Sequence, residues 1–269
     1  MLALMRVVPI PCLRDNYAYL VICEDTWTSA VVDPSEPGPV LAALEAERSA
    51  APLEVRAIWA THHHLDHVGG IEALADALLV SEVVGFEGEM ARIPRLSRPL
   101  EDGAAFALGG VAVQVLHVPG HTRGALAYLC QVPGEPPSVF TGDTLFLAGC
   151  GRLFEGTPAQ MHASFARLSS LPDETRIYCG HEYTLANLAF AAHCEPDNEA
   201  IAVERARIAG LRDRGLPSMP GLLGTERRTS PFLRVSSPSL RRTLGVPEGA
   251  SDVEAFAAAR SAKDVFVAP

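Results

Sequence analysis

The sequence predicts an α+β chain in which a mixed part, residues 1–182, gives way to a mostly helical part, residues 183–269. Three observations carry this. Up to about residue 182, short β-branched runs alternate with glycine- and proline-rich turns. Beyond it the apolar residues recur at helical spacing. Several of the strand-like runs also end alike, in a glycine beside a histidine or an aspartate. With 269 residues the chain has room for one full core and a smaller appended unit.

The elements follow in order. An amphipathic helix is expected over 39–50, then a buried strand in Val55-Arg56-Ala57-Ile58-Trp59-Ala60. Gly69-Gly70 precedes Ile71-Glu72-Ala73-Leu74, which reads as the start of a helix. Alternation in 111–118 and the apolar run 138–141 give two strands, and 176–179 gives another. Between them Thr157-Pro158-Ala159-Gln160 has capping-box spacing with proline at the first helical position. Helices are expected over 182–193 and 198–214, and Ser251-Asp252-Val253-Glu254 caps a last one reaching toward Lys263. Residues 215–238, rich in proline, glycine and serine, read as a connection.

The chemistry concentrates in Thr61-His62-His63-His64-Leu65-Asp66-His67. Side chains of an extended stretch point the same way at every second residue, so His62 and His64 can grip one ion together. Asp66 and His67 fall where the chain turns into the helix, so they reach a second ion. His63 points away and is not expected to be a ligand. A tag remnant would lie at a terminus, outside any strand-to-helix setting. Three further strand ends supply His121 after Pro119-Gly120, Asp143 after Gly142, and His181 after Gly180. Any one of these alone would read as a hydrogen-bonded residue. Together they make seven nitrogen and oxygen ligands, enough for two divalent metals sharing a carboxylate and a water.

The composition excludes other classes. Thirty-two acidic against 22 basic residues give a net charge of −10, which argues against a nucleic-acid or acidic-membrane binder. Six cysteines, at 12, 23, 130, 150, 179 and 194, show no C-x-x-C and no disulfide framework, so they read as reduced core thiols. The opening Met1-Leu2-Ala3-Leu4-Met5-Arg6-Val7-Val8-Pro9 is too short and interrupted for a signal peptide, and no apolar run has membrane-spanning length. A cytoplasmic monomer is the expectation.

The chain also resembles the metallo-β-lactamase-fold hydrolases and, within them, the glyoxalase II or hydroxyacylglutathione hydrolase family. The resemblance runs through Leu13-Arg14-Asp15-Asn16-Tyr17, Val31-Val32-Asp33-Pro34, the histidine cluster, Pro119-Gly120-His121-Thr122 and Thr141-Gly142-Asp143-Thr144-Leu145-Phe146. It continues through Gly149-Cys150-Gly151-Arg152, Tyr178-Cys179-Gly180-His181-Glu182-Tyr183-Thr184, Ser230-Pro231-Phe232-Leu233-Arg234 and Arg260-Ser261-Ala262-Lys263-Asp264. It implies an αββα sandwich with an α-helical C-terminal domain, and hydrolysis of S-D-lactoylglutathione to glutathione and D-lactate in methylglyoxal detoxification. The implied metal set is His62, His64 and His121 on one ion, Asp66, His67 and His181 on the other, and Asp143 bridging. Zinc is favoured, with iron and manganese compatible. No side-chain nucleophile is expected, since hydroxide held between the ions would attack the thioester. Asp15, Asp33 and Glu182 are candidates to orient ligand histidines.

The same resemblance assigns glutathione contacts to Arg152, position 154, Tyr183, Arg260 and Lys263, the last two pairing with a carboxylate at the surface. The family often has lysine at 152 and tyrosine at 154, so Phe154 forgoes a hydroxyl. Three alternatives stand beside this reading: a one-iron persulfide dioxygenase of the same fold, a lactonase or other thioesterase, and an inactive scaffold. The scaffold conflicts with the complete ligand set.

Overall fold

A computed structural model describes residues 4–267, so Met1–Ala3 of the N-terminal stretch lie outside the described residues. The chain falls into two compact units, one of Met1–His117 with Gly124–Gly142, the other of Val118–Arg123 with Asp143–Pro269.

In the first unit the strands β1 (Met5–Cys12), β2 (Asn16–Cys23) and β3 (Thr28–Val32) pair antiparallel. From β3 the sheet continues parallel through β4 (Glu54–Trp59), β5 (Glu82–Phe86) and β6 (Arg98–Leu100). Parallel neighbours need a crossover. Helix α1 (Pro37–Arg48) supplies the first, and the short α2 (Leu65–Val68) with α3 (Ile71–Leu78) supplies the second. Helix α1 begins two residues earlier than expected because its prolines occupy the first turn, where no backbone N–H is needed. Val40, Leu44, Ile71 and Leu74 of these helices pack on Leu20, Ile22, Val31 and Ile58 of the sheet.

Every residue of β2 is buried, because a second sheet covers its other face. That sheet is an antiparallel run of β7 (Ala105–Leu108), β8 (Val111–His117), β9 (Leu126–Gln131) and β10 (Ser138–Gly142). Between the sheets Trp59 meets the edge of Phe106 at 5.4 Å, and Tyr19 meets Phe140 at 5.5 Å. The Tyr128 hydroxyl donates to the Ala60 carbonyl at 2.8 Å, so the buried phenol is satisfied.

The second unit opens with a small hairpin, β11 (Leu145–Phe146) and β12 (Gly149–Cys150). Helix α4 (Pro158–Leu168) starts with the expected capping box between Thr157 and Gln160. Strand β13 (Arg176–Cys179) pairs with β14 (Gly221–Leu222). Helices α5 (Thr184–Cys194), α6 (Glu199–Arg212), α7 (Leu223–Thr229), α8 (Pro238–Thr243) and α9 (Asp252–Val265) complete it. The second capping box, Ser251 with Glu254, is also present. Phe165 of α4 and Phe256 of α9 meet at 5.3 Å, and Phe232 lies 5.4 Å from Phe256. The region 215–238 is more structured than its composition suggests, since it carries β14 and α7.

The six cysteines are buried free thiols. Burial pushes Cys150 and Cys179 up to about 12, which makes them poor nucleophiles near neutral pH. Among the described residues no helix is long and apolar enough to cross a membrane.

Candidate metal centre and substrate cavity

The first unit brings its donors together where β3 and β4 end side by side. Asp33 follows β3 in a left-handed conformation, φ +48°, which aspartate tolerates better than most residues. Its carboxylate accepts from the Thr61 N–H at 2.7 Å and from the Thr61 hydroxyl at 2.6 Å, fastening the two strand ends to each other. The same carboxylate lies 2.9 Å from His67 Nδ1. This places the ring proton on Nδ1 and directs Nε2 toward Asp66, whose Oδ2 is 3.8 Å away. His62 Nε2 and His64 Nδ1 converge to 3.2 Å, as the alternation predicted. Ligand atoms of Asp33, His62 and His67 all lie within 4.8 Å of one another. Gly70 lets the start of α3 press onto this loop, because a Cβ there would meet the Pro34 carbonyl oxygen at 2.7 Å.

His63 turns away as expected and is buried, with Nδ1 2.7 Å from Glu89 Oε1. Asn16 has a role the sequence reading missed. Its Nδ2 donates to the Asp66 carbonyl at 3.0 Å and to Oδ2 at 3.2 Å, steadying that carboxylate. Of the three carboxylates expected to orient histidines, Asp33 does so. Glu182 accepts from Ser218 N at 2.9 Å and Oγ at 2.6 Å, and so ties down the segment before β14. Asp15 is partly buried, and the neighbouring Asn16 donates to Asp66.

The second unit holds the other three donors. Asp143 Oδ2 stands 3.5 Å from His121 Nε2 and 3.3 Å from His181 Nε2, and all three residues are buried. His121 Nδ1 is 2.9 Å from the Arg152 carbonyl, which leaves Nε2 facing Asp143. The loop bearing His121 is held by Ser164 Oγ donating to the Pro119 carbonyl at 2.8 Å and by Gly156 N donating to the Gly120 carbonyl at 3.1 Å. Tyr183 stacks on His181 with ring centroids 4.7 Å apart and planes 4° from parallel, and Phe146 closes on both rings.

These distances fit a metal better than direct hydrogen bonds. An N–H···O bond is normally about 2.7–3.2 Å. Two ligands each about 2.0–2.2 Å from one tetrahedral ion stand about 3.3–3.6 Å apart. The His121–Asp143 and His181–Asp143 separations lie in that second range. Imidazole and carboxylate donors of this kind make a divalent-metal site.

Three of the expected substrate residues, Arg152, Phe154 and Arg260, line one cavity of about 340 Å³ in the second unit. Phe154 is 62% exposed and meets the edge of His121 at 5.3 Å, so the cavity wall touches a candidate metal ligand. Arg260 was expected at the surface, but it is only 5% exposed. The packing of α9 on α4 draws its stem inward, Nη1 donates to the Cys150 carbonyl, and the guanidinium lies 5.5 Å from the Phe232 ring centre. Lys263 faces elsewhere. Its Nζ donates to the Ala186 carbonyl at 3.2 Å and sits 5.5 and 5.7 Å from the Phe190 and Phe266 ring centres. Burial, and then the charge of Arg260, lowers Lys263 from the ordinary lysine range to about 8.

Residues 13–181 match the metallo-beta-lactamase superfamily, and this fold and site make the chain one of its members. Residues 182–266 match the hydroxyacylglutathione hydrolase C-terminus. A hydroxyacylglutathione hydrolase of Synechococcus sp. (strain JA-2-3B'a(2-13)) is 46% identical over 262 residues, covering 97% of this chain and 100% of that protein. Another, from Methylococcus capsulatus, is 44% identical and covers 98% of this chain and 99% of its own. The chain belongs to the hydroxyacylglutathione hydrolase family. Among solved structures, ETHE1 from Myxococcus xanthus superposes with a TM-score of 0.62 at 24% identity, covering 96% of this chain and 97% of that one, a likeness of fold alone. TTHA1623 in a di-iron-bound form has a TM-score of 0.55 at 31% identity, covering 85% of this chain and 100% of that one.

Proposed function

We propose that this protein hydrolyses S-2-hydroxyacylglutathione thioesters, S-D-lactoylglutathione first among them, to glutathione and the 2-hydroxy acid. The observation that carries the reading is the Asp143 carboxylate set between two buried imidazole nitrogens at distances suited to bound metal. His62, His64 and His121 would hold one ion and Asp66, His67 and His181 the other, and Asp143 would be a ligand to both. When bound, divalent metals supply Lewis-acid polarisation of the thioester carbonyl and lower the pKa of water. Zinc is the first choice, and the di-iron form of TTHA1623 makes iron a competitor.

The protein's own groups do the positioning. Asp33 keeps the proton on His67 Nδ1, and the Arg152 carbonyl does the same for His121. Arg152 and Arg260 offer guanidinium donors to glutathione carboxylates, and Phe154 and Tyr183 give its backbone apolar surface. Residues 1–182 form the catalytic domain and 183–269 the substrate-binding domain, in a cytoplasmic monomer. Steady-state hydrolysis of S-D-lactoylglutathione beside metal quantification tests this. Turnover that follows metal content supports it, whereas oxygen consumption on a persulfide with no thioester turnover sinks it.

Phe154→Tyr restores the hydroxyl common in the family. A neutral hydrogen bond contributes about 0.5–1.5 kcal/mol, so KM should fall a few-fold, up to about tenfold. If Arg152, with more donors than lysine, already uses that acceptor, only Arg152→Lys/Phe154→Tyr improves. Improvement in neither variant removes the contact.

Lys263 gives a pH signature. Lys263 lies outside the cavity lined by Arg152 and Arg260; if it meets a second glutathione carboxylate there, loss of its ammonium as pH rises through about 8 should raise KM above that pH. Lys263→Arg should flatten the climb, because arginine stays charged. The stability sign is opposite: a depressed lysine pKa opposes folding at lower pH, and this penalty fades as pH rises from about 8 toward the ordinary 10.5. An identical KM profile in both proteins would exclude Lys263 from substrate binding.

A further inference from the structure

The cavity that holds Arg152 and Arg260 also holds a carboxylate. Asp264 lines it, with Oδ1 3.1 Å from Arg260 Nη2 and 3.7 Å from Arg152 Nε. We propose that Asp264 is a specificity-determining residue, a resident counter-ion that sets how tightly the cavity holds the carboxylates of glutathione. The inference rests on the glutathione thioesterase reading above.

Asp264 is badly placed for the helix that carries it. It lies in the last turn of α9, where the helix dipole favours cations. Its i,i+4 partner Arg260 lies on the N-terminal side, the weaker order for a helical ion pair. Local helix stability therefore does not account for an acid at this position. The cavity does. Arg260 is nearly fully buried, and a buried guanidinium needs a counter-charge. Its Nε is buried with no hydrogen-bond partner among the described residues, so the guanidinium relies on the Cys150 carbonyl at Nη1 and on Asp264 at Nη2. Arg152, at 67% side-chain exposure, is the solvent-facing half of the pair. Its separation from Asp264 is too long for a good hydrogen bond, so a substrate carboxylate can replace Asp264 there.

With Asp264 ionised, the two guanidinium groups leave the cavity a single net positive charge. That suits one carboxylate at moderate affinity. It also speeds the release of glutathione, whose carboxylates survive hydrolysis of the thioester and would otherwise hold the product on the enzyme.

The test is Asp264→Asn, which keeps shape and hydrogen bonding while removing the charge. KM for S-lactoylglutathione and the inhibition constant of free glutathione should both fall, about three- to fivefold. Inhibition by glutathione diethyl ester, which has no carboxylate, should be the same in both proteins. Asp264→Ala, which also loses the hydrogen bond to Arg260, should move both constants in the same direction. A rise in either constant in Asp264→Asn, or opposite movements in the two variants, makes Asp264 a prop for Arg260 and overturns the proposal. Absence of wild-type thioester turnover sinks the underlying reading. Turnover with unchanged constants in both variants sinks only the role of Asp264.

Discussion

Asp143→Asn should lose bound metal and at least about a hundredfold in turnover, with a much smaller change in KM. Outer partners of metal ligands are commonly worth about 10–100-fold, and Asp143 is proposed as a ligand itself. The substitution keeps size and hydrogen bonding but removes the negative charge that two buried imidazoles face. Metal analysis after gel filtration reads the first effect, and steady-state kinetics on S-D-lactoylglutathione the second. The contrast is His63→Ala. His63 sits between two proposed ligands in sequence, yet its ring pairs with Glu89, so metal content should be nearly intact while the melting temperature drops. If Asp143→Asn kept two equivalents of metal and His63→Ala lost them, the ligand assignment would be wrong.

Asp33→Asn should weaken metal binding about 10–100-fold and destabilise the protein even without metal. Asp33 accepts from three donors: the Thr61 N–H, the Thr61 hydroxyl and His67 Nδ1. Asparagine tolerates the left-handed backbone at φ +48°, so the loss can be charged to the carboxylate and not to strain. The amide has only one acceptor oxygen, and its NH₂ must face a donor in a buried place. Breaking a buried charged hydrogen-bond network of this kind costs about 2–4 kcal/mol. Thermal melts of metal-stripped wild type and variant isolate that part, and chelator competition measures the affinity. Equal melting and equal affinity would mean that Asp33 neither joins the strands nor orients His67.

Much of this was legible in the sequence because metal chemistry uses few residue types at fixed spacings. The alternation in His62-His63-His64 separated the converging pair from the residue that turns away, and both capping boxes marked their helix starts. What stayed hidden depended on contacts distant along the chain. Asn16 holds Asp66 from 50 residues away, and no local pattern announces it. The burial of Arg260 arises from the docking of α9 on α4, whereas its own helix pattern fits a surface cation equally well. Helix α7 is short, and the proline and glycine around it masked its period.

The contact between Arg260 and the Cys150 carbonyl has a consequence for proteolysis. It staples α9 to the hairpin that leads into Arg152, whose carbonyl in turn holds His121. The loop just before α9 carries exposed Gly245, Pro247, Glu248 and Gly249, the kind of tip that proteases cut. A nick there would leave the seven proposed metal ligands on one fragment and the helix bearing Arg260 and Lys263 on the other. Fragment exchange at such a cut could graft the substrate preference of one homologue onto the metal centre of another.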